Sequence, residues 1–165
     1  MKQRAVIAMA LACRPDLIIA DEPTTALDVI VQAQILTEIK TIQRELKLSI
    51  LFISHDIAVV ADVCDHIGVM YAGQLVEHGP RQAVFESPGH PYTRELVDAH
   101  HALMGDQRQP QINPASTPDL VNPPPGCRFC GRCPSADDTC REKRPRWLSL
   151  SENHKIFCCD RDQKG

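Results

Sequence analysis

Two short apolar runs bracketing a long amphipathic stretch constrain this chain more than any other feature. Leu17 to Ala20 and Ile50 to Ile53 each have the length and continuity of a strand buried on both faces. Between them, Val31, Ile35, Ile39, Ile42 and Leu46 recur at helical steps, with Glu38, Lys40, Arg44 and Glu45 mostly off that stripe. A second short helix is expected over Ile57 to Val63, and one before the first strand over Gln3 to Ala12, stopped by Pro15. Strand alternating with helix is the pattern of an α/β sheet. Further on, Ile67 to Tyr71 and Gln74 to Glu77 flank Ala72-Gly73 and predict a hairpin, followed by helices over Arg81 to Phe85 and Thr93 to Leu103.

From Met104 to Gly126 the character changes. Pro110, Pro114, Pro118 and Pro123-Pro124-Pro125 forbid regular helix or central strand, so this stretch reads as an extended connector. Six of the eight cysteines follow it: Cys127, Cys130, Cys133, Cys140, Cys158 and Cys159. Cys13 and Cys64 stand apart at the ends of apolar stretches and read as small buried hydrophobes. The expected organisation is 1–103 as an α/β portion, 104–126 as connector and 127–165 as a Cys-rich extension.

Composition narrows the function. A formal net charge of -3 argues against a dedicated nucleic-acid binder, which needs a surplus of Lys and Arg. The longest apolar runs are too short to span a membrane, and the start of the chain does not read as a signal peptide, so the cytoplasm is the expected compartment. Aromatics are 4% of the chain, so the core is expected to rest on Ile, Leu, Val and Ala. In a reducing compartment, clustered cysteines suggest a metal before disulfides.

The chemistry is concentrated in Asp16-Leu17-Ile18-Ile19-Ala20-Asp21-Glu22-Pro23. Two carboxylates follow a buried strand, at the end where open α/β sheets bind ligands. An apolar strand ending in Asp has the form of a Walker B element, whose carboxylate helps hold nucleotide-bound Mg²⁺. The adjoining Glu22 is suited to orient or deprotonate an attacking water. A pair of solvated acids opening a loop is the plainer alternative for so short a match.

Two further strings stand beside it: Pro23-Thr24-Thr25-Ala26-Leu27-Asp28 directly after, and Ser54-His55-Asp56 closing the next strand. Together, ADEPTTALD and LFISHD resemble the nucleotide-binding domains of ABC transporters. The resemblance implies the C-terminal half of an ABC-type P-loop ATPase domain, binding ATP and Mg²⁺. Asp21 is implied as a metal-side carboxylate and Glu22 as the catalytic one. His55 is implied as the switch histidine at the γ-phosphate. Ala26-Leu27-Asp28 is implied as the D-loop, with Asp28 at the nucleotide-side interface of two ATPase domains. Met1 to Ala8 resembles the helix after the family signature Leu-Ser-Gly-Gly. That signature, the preceding glutamine loop and any G-x-x-x-x-G-K-S/T string are missing from the 165 residues, which reads as a truncated product or partial gene.

Later segments narrow the resemblance to peptide importers. These are Tyr71-Ala72-Gly73-Gln74-Leu75-Val76-Glu77-His78-Gly79, then Ser87-Pro88-Gly89-His90-Pro91-Tyr92-Thr93, then the tail. His90 itself reads as a capping or packing residue. Gly126-Cys127, Arg132-Cys133-Pro134, Cys140 and Cys158 are similar to the C-terminal extension of dipeptide and oligopeptide importer ATPases. There, four cysteines are thought to hold a 4Fe–4S cluster, which implies Cys127, Cys133, Cys140 and Cys158 as ligands, with Cys130 and Cys159 as substitutes. Zinc accepts the same four thiolates, and plain reduced thiols are the remaining alternative.

The implied partners are a second ABC ATPase subunit, two transmembrane permeases and, indirectly, a periplasmic peptide-binding protein, with the chain peripheral to the inner membrane. Related importers for nickel, glutathione or antimicrobial peptides share much of this sequence and stay open as cargo alternatives. A metal-binding or redox module centred on the Cys-rich tail is the rival from another class.

Overall fold

A computed structural model describes residues 2–25, 27–105 and 118–159, in two compact units, Met1–Cys64 and Asp65–Gly165. The fold class is α/β. Neither unit boundary falls at 127, because the Cys-rich segment belongs to the second unit. Most of the expected connector, residues 106–117, lies outside the described residues, as does Ala26.

The first unit runs α1 (Lys2–Leu11), β1 (Leu17–Asp21), α2 (Val29–Leu46), β2 (Ser49–Ile53) and α3 (Ile57–Val63). β1 and β2 are parallel, in register from Leu17 opposite Ser49 to Asp21 opposite Ile53. Parallel neighbours need a crossover, and α2 supplies it. Asp28 caps α2, its Oδ1 accepting the Val31 N–H at 2.9 Å. Lys47 ends the helix in the left-handed conformation, φ 53°, and donates its N–H to Gln43 O. Ile35, Leu36 and Ile39 form the buried stripe. Leu36 was not on the expected stripe, and Leu46, which was, is exposed.

The expectation that both strands are buried on both faces is corrected. Leu17 and Ile19 of β1 and Leu51 and Ile53 of β2 are exposed, and Ile18, Ala20, Ile50 and Phe52 on the opposite face are half-buried. Alternate residues of a strand point to opposite faces. In this two-stranded unit only one of those faces is covered among the described residues.

In the second unit the expected hairpin forms. β3 (His66–Tyr71) and β4 (Gln74–Pro80) pair antiparallel, with an irregularity between Val69 and Met70. Ala72 (φ 50°) and Gly73 (φ 75°) are both left-handed, the geometry of the two-residue turn that matches strand twist. α4 (Arg81–Glu86) and α5 (Pro91–Leu103) follow, then α6 (Asp138–Glu142), β5 (Arg146–Ser149) and β6 (Lys155–Cys158). The sheet order is β3-β4-β6-β5, so the Cys-rich segment adds two strands to the hairpin's sheet. Glu77 lies opposite Ile156 and His78 opposite Lys155.

The aromatics, though few, are concentrated here. Tyr71 packs on Tyr92 at 4.7 Å between ring centroids and edge-on against Phe129 at 5.0 Å. Phe129 also meets His90 at 5.5 Å and is 2% exposed. Burying one such ring contributes about 1.5–3 kcal/mol, so Phe129 holds the Cys-rich segment onto β3 and α5. The core of this unit is therefore aromatic as well as aliphatic, unlike the composition-based expectation.

Candidate functional site

The parallel register brings the chemistry of two distant strings together. Asp21 ends β1 opposite Ile53, and the Glu22 N–H donates to Ile53 O at 2.9 Å. This sets Glu22 beside Ser54 and His55 at the C-terminal ends of both strands, where ligands bind in open α/β sheets. Glu22 has φ 46°, a left-handed backbone that a non-glycine residue rarely adopts. Thr25 N–H donates back to Glu22 O at 3.2 Å, and Gln3 Nε2 donates to Pro23 O at 2.6 Å, so α1 fastens the same turn. Strain held by such neighbours is a recurring mark of functional positions.

Both carboxylate oxygens of Glu22 are engaged. Oε1 accepts the His55 backbone N–H at 3.0 Å and meets His55 Nδ1 at 2.8 Å. Oε2 accepts the Thr25 hydroxyl at 3.0 Å. The His55 side-chain hydrogen bond is the main influence holding the Glu22 carboxyl below its ordinary value, over an opposing effect of desolvation. The same bond raises the His55 imidazole, and the carboxylate's charge adds to it. Each of the two shifts thus favours the charged form of its own group. The His55 side chain is 81% exposed, so its outer edge is open to a ligand.

Asp21 is exposed beside this pair and offers the hard oxygen donor that Mg²⁺ prefers. The Asp28 carboxylate is spent on capping α2. Asp56 does the same for α3, its Oδ1 accepting Ala58 N–H at 2.9 Å, and Ser54 Oγ accepts the Asp56 N–H at 3.1 Å. The sequence reading missed Thr25. Its signal was available as a hydroxyl three residues after an acid in a turn.

Six of the eight cysteines lie in the second unit, after Gly126. The eight carry thiols, not disulfides. Burial pushes the Cys127 thiol up to about 11, against a backbone hydrogen bond from Phe129, and neighbouring Cys158, Cys130 and Cys140 push it further. Cys159 rises to about 12, mainly by burial, then through its contact with Cys140. Cys127 N–H donates to Cys140 O at 2.8 Å, which fixes the two against each other. Cys127, Cys140 and Cys158 of the expected set thus share one locality, with Cys130 and Cys159. Cys133 Sγ lies 4.0 Å from Ser135 Oγ. Among the described residues, no three His, Cys, Asp or Glu side chains are arranged to hold one metal ion.

A buried carboxylate in the second unit had no warning in the sequence. Glu77 is fully buried and accepts the N–H of Gly89 at 2.9 Å and of His90 at 2.8 Å, and it meets His154 Nε2 at 2.6 Å. His90 is the N-cap of α5, its Nδ1 accepting Tyr92 N–H at 3.2 Å, and Pro91 opens the first turn. The capping reading of His90 holds.

Comparison with known proteins bears on both units. Residues 76–140 match the family model of the oligopeptide/dipeptide transporter C-terminal region. The dipeptide transport ATP-binding protein DppD of Bacillus subtilis is 47% identical over 100% of this chain and 49% of its own length. The oligopeptide transport ATP-binding protein OppD of Haemophilus influenzae is 48% identical over 86% of this chain and 44% of its own. The OppD of Salmonella typhimurium is 48% identical over 88% and 43%. A solved structure of cbiO1 from Clostridium perfringens, part of an ABC transporter complex, covers 62% of this chain and 41% of its own at 31% identity, with a TM-score of 0.49. By its curated relatives the chain is a homologue of transport ATP-binding proteins. More narrowly, its homologues are the ATP-binding proteins of dipeptide and oligopeptide transport. It spans about half the length of the curated relatives it matches.

Proposed function

We propose that these residues belong to the ATP-hydrolysing subunit of a peptide-importing ABC transporter, with 1–103 carrying the ATPase chemistry. The observation that carries this reading is the Glu22 carboxylate held 2.8 Å from His55 Nδ1 at the ends of two parallel strands. Glu22 orients the attacking water and takes its proton once the imidazole swings to the γ-phosphate. His55 then places an N–H against the charge that develops on the phosphoryl oxygens. Asp21 would hold Mg²⁺, which when bound neutralises phosphate charge. Asp28 fixes the start of α2, which in this reading lies at the contact between two ATPase domains.

A second ATPase subunit, two permeases and an external peptide-binding protein complete the assembly in this reading, on the inner face of the bacterial inner membrane. No described helix is long and apolar enough to cross a membrane. Nickel, glutathione or antimicrobial-peptide import uses the same site chemistry, and cargo is chosen by the other components. In a complete subunit carrying these residues, Glu22→Gln should bind Mg-ATP nearly as well as the parent and lose about 10²-fold or more in turnover. Turnover near the parent's would remove Glu22 from the role.

For the thiol-bearing segment 127–165 the proposed ligands are Cys127, Cys133, Cys140 and Cys158, for a 4Fe–4S cluster or zinc. Support comes from the mutual influence of Cys127, Cys140 and Cys158. Metal analysis after anaerobic purification decides: iron or zinc in fixed ratio to chain supports the set, and metal-free folded protein removes it.

A further inference from the structure

A cavity of about 270 Å³ lies beside the β3–β4 turn, walled by Tyr71, Asp119, Asn122, Arg128, Cys130 and Arg132. It is far from empty of chemistry. Tyr71 is 6% exposed, and its hydroxyl has no hydrogen-bond partner among the described residues. An unpaired buried hydroxyl costs free energy, so a protein keeps one where something else can pair with it. The ring packs against Tyr92 and Phe129, with centroids 4.7 and 5.0 Å away.

The two guanidinium groups are equally pre-set. Arg132 lies over the rings of Tyr71, Tyr92 and Phe129 at 5.8, 6.0 and 5.6 Å, and Nη2 donates to Glu95 Oε2 at 2.6 Å. Arg128 Nη1 donates to Ala72 O across the turn. The Arg128 guanidinium carries five N–H donors, so its bond to Ala72 O leaves capacity directed elsewhere. The wall also carries one carboxylate, whose oxygens are engaged by neutral N–H groups. Asp119 accepts the Val121 N–H at 2.8 Å and the Asn122 amide at 3.4 Å. The cavity therefore offers donors and asks for an acceptor.

We propose that this cavity binds a small organic carboxylate, held by Arg128 and the Tyr71 hydroxyl. Planar carboxylate suits a guanidinium fork, and a phenol can donate the third hydrogen bond. The volume is below that of drug-sized pockets, which sets the ligand at dipeptide size or smaller. No nucleotide chemistry enters, so the site is independent of the ATPase reading.

Calorimetric titration of the 165-residue chain with L-alanyl-L-alanine tests it, against L-alanyl-L-alaninamide, which lacks the carboxylate. Saturable binding of the acid, at least about tenfold tighter than the amide, is expected. Arg128→Gln should weaken it about tenfold. Tyr71→Phe, which keeps the ring stack, should weaken it about threefold or more while near-ultraviolet circular dichroism stays unchanged. Three results would overturn the proposal: no saturation up to about 10 mM, affinity indifferent to both substitutions, or inorganic phosphate displacing the acid at equal concentration.

Discussion

His154 Nε2 sits 2.6 Å from Glu77 Oε1 in a fully buried contact that joins β6's approach to β4. The same carboxylate holds the N–H groups of Gly89 and His90, so one side chain ties three segments. Removing it as Glu77→Ala strands two buried amide donors and an imidazole. A loss of about 3–5 kcal/mol in unfolding free energy is expected, read by urea titration with near-ultraviolet detection. Glu77→Gln keeps an acceptor and should lose less. Equal, small losses for both would show that the contact adds nothing.

The Glu22–His55 pair should report itself by titration. His55 should titrate above 6.5 and Glu22 below 4.5 in the folded chain. The sign follows from linkage: the His55 contribution is full below 6.5 and is lost as pH rises through its raised value. The Glu22 contribution is present above 4.5 and is lost as pH falls through its lowered value. The contact is therefore firmest between those two ordinary values. Proton NMR of the imidazole in the parent and in Glu22→Gln is the check. The substitution should bring His55 down towards 6.5, and an unmoved value would refute the coupling.

Thr25 should matter to hydrolysis through Glu22 alone. In a complete subunit, Thr25→Val removes the hydroxyl at Oε2 and leaves Oε1 with His55. Turnover is expected to fall about threefold to tenfold with KM for ATP little changed, and Thr25→Ser should restore it. A rise in KM without loss of turnover would place Thr25 in nucleotide binding instead.

Gly126 is a site of close backbone approach. A methyl group built there would lie 2.4 Å from Cys140 O and 2.5 Å from Arg141 O. The Cys140 carbonyl cannot retreat easily, since it also accepts the Cys127 N–H. Gly126→Ala is expected to destabilise the second unit by about 1–3 kcal/mol, measurable by the same urea titration. Parent-like stability would mean that the segment before Cys127 shifts freely.

Local patterns were legible and distant ones were not. The step of Val31, Ile35 and Ile39 gave α2, and Ala72-Gly73 between apolar runs gave the hairpin, because both signals lie within a few residues. Glu22 and His55 were legible as separate strings. Their contact depends on the register of β1 on β2, which no local pattern specifies. The addition of β6 to β4 joins residues more than seventy positions apart, so the Cys-rich segment read as a separate extension. Glu77 looked like an ordinary strand-end charge, since its partners His90 and His154 are brought to it only by tertiary packing. The Thr25 hydroxyl meets Glu22 only because the turn folds back on itself, which neither charge nor apolar spacing reports.

The uncovered face of β1 and β2 has a bearing on handling and on fate in the cell. Leu17, Ile19, Leu51 and Ile53 form a two-strand apolar ledge, each between 44% and 62% exposed. Strands that present such a ledge are templates for sticking to their own kind. Colloidal behaviour of the isolated chain should therefore be governed by this ledge, with light scattering that climbs with concentration and warms into precipitation. Replacing Ile19 and Leu51 by Lys and Glu would keep the chain dispersed without touching Glu22 or His55.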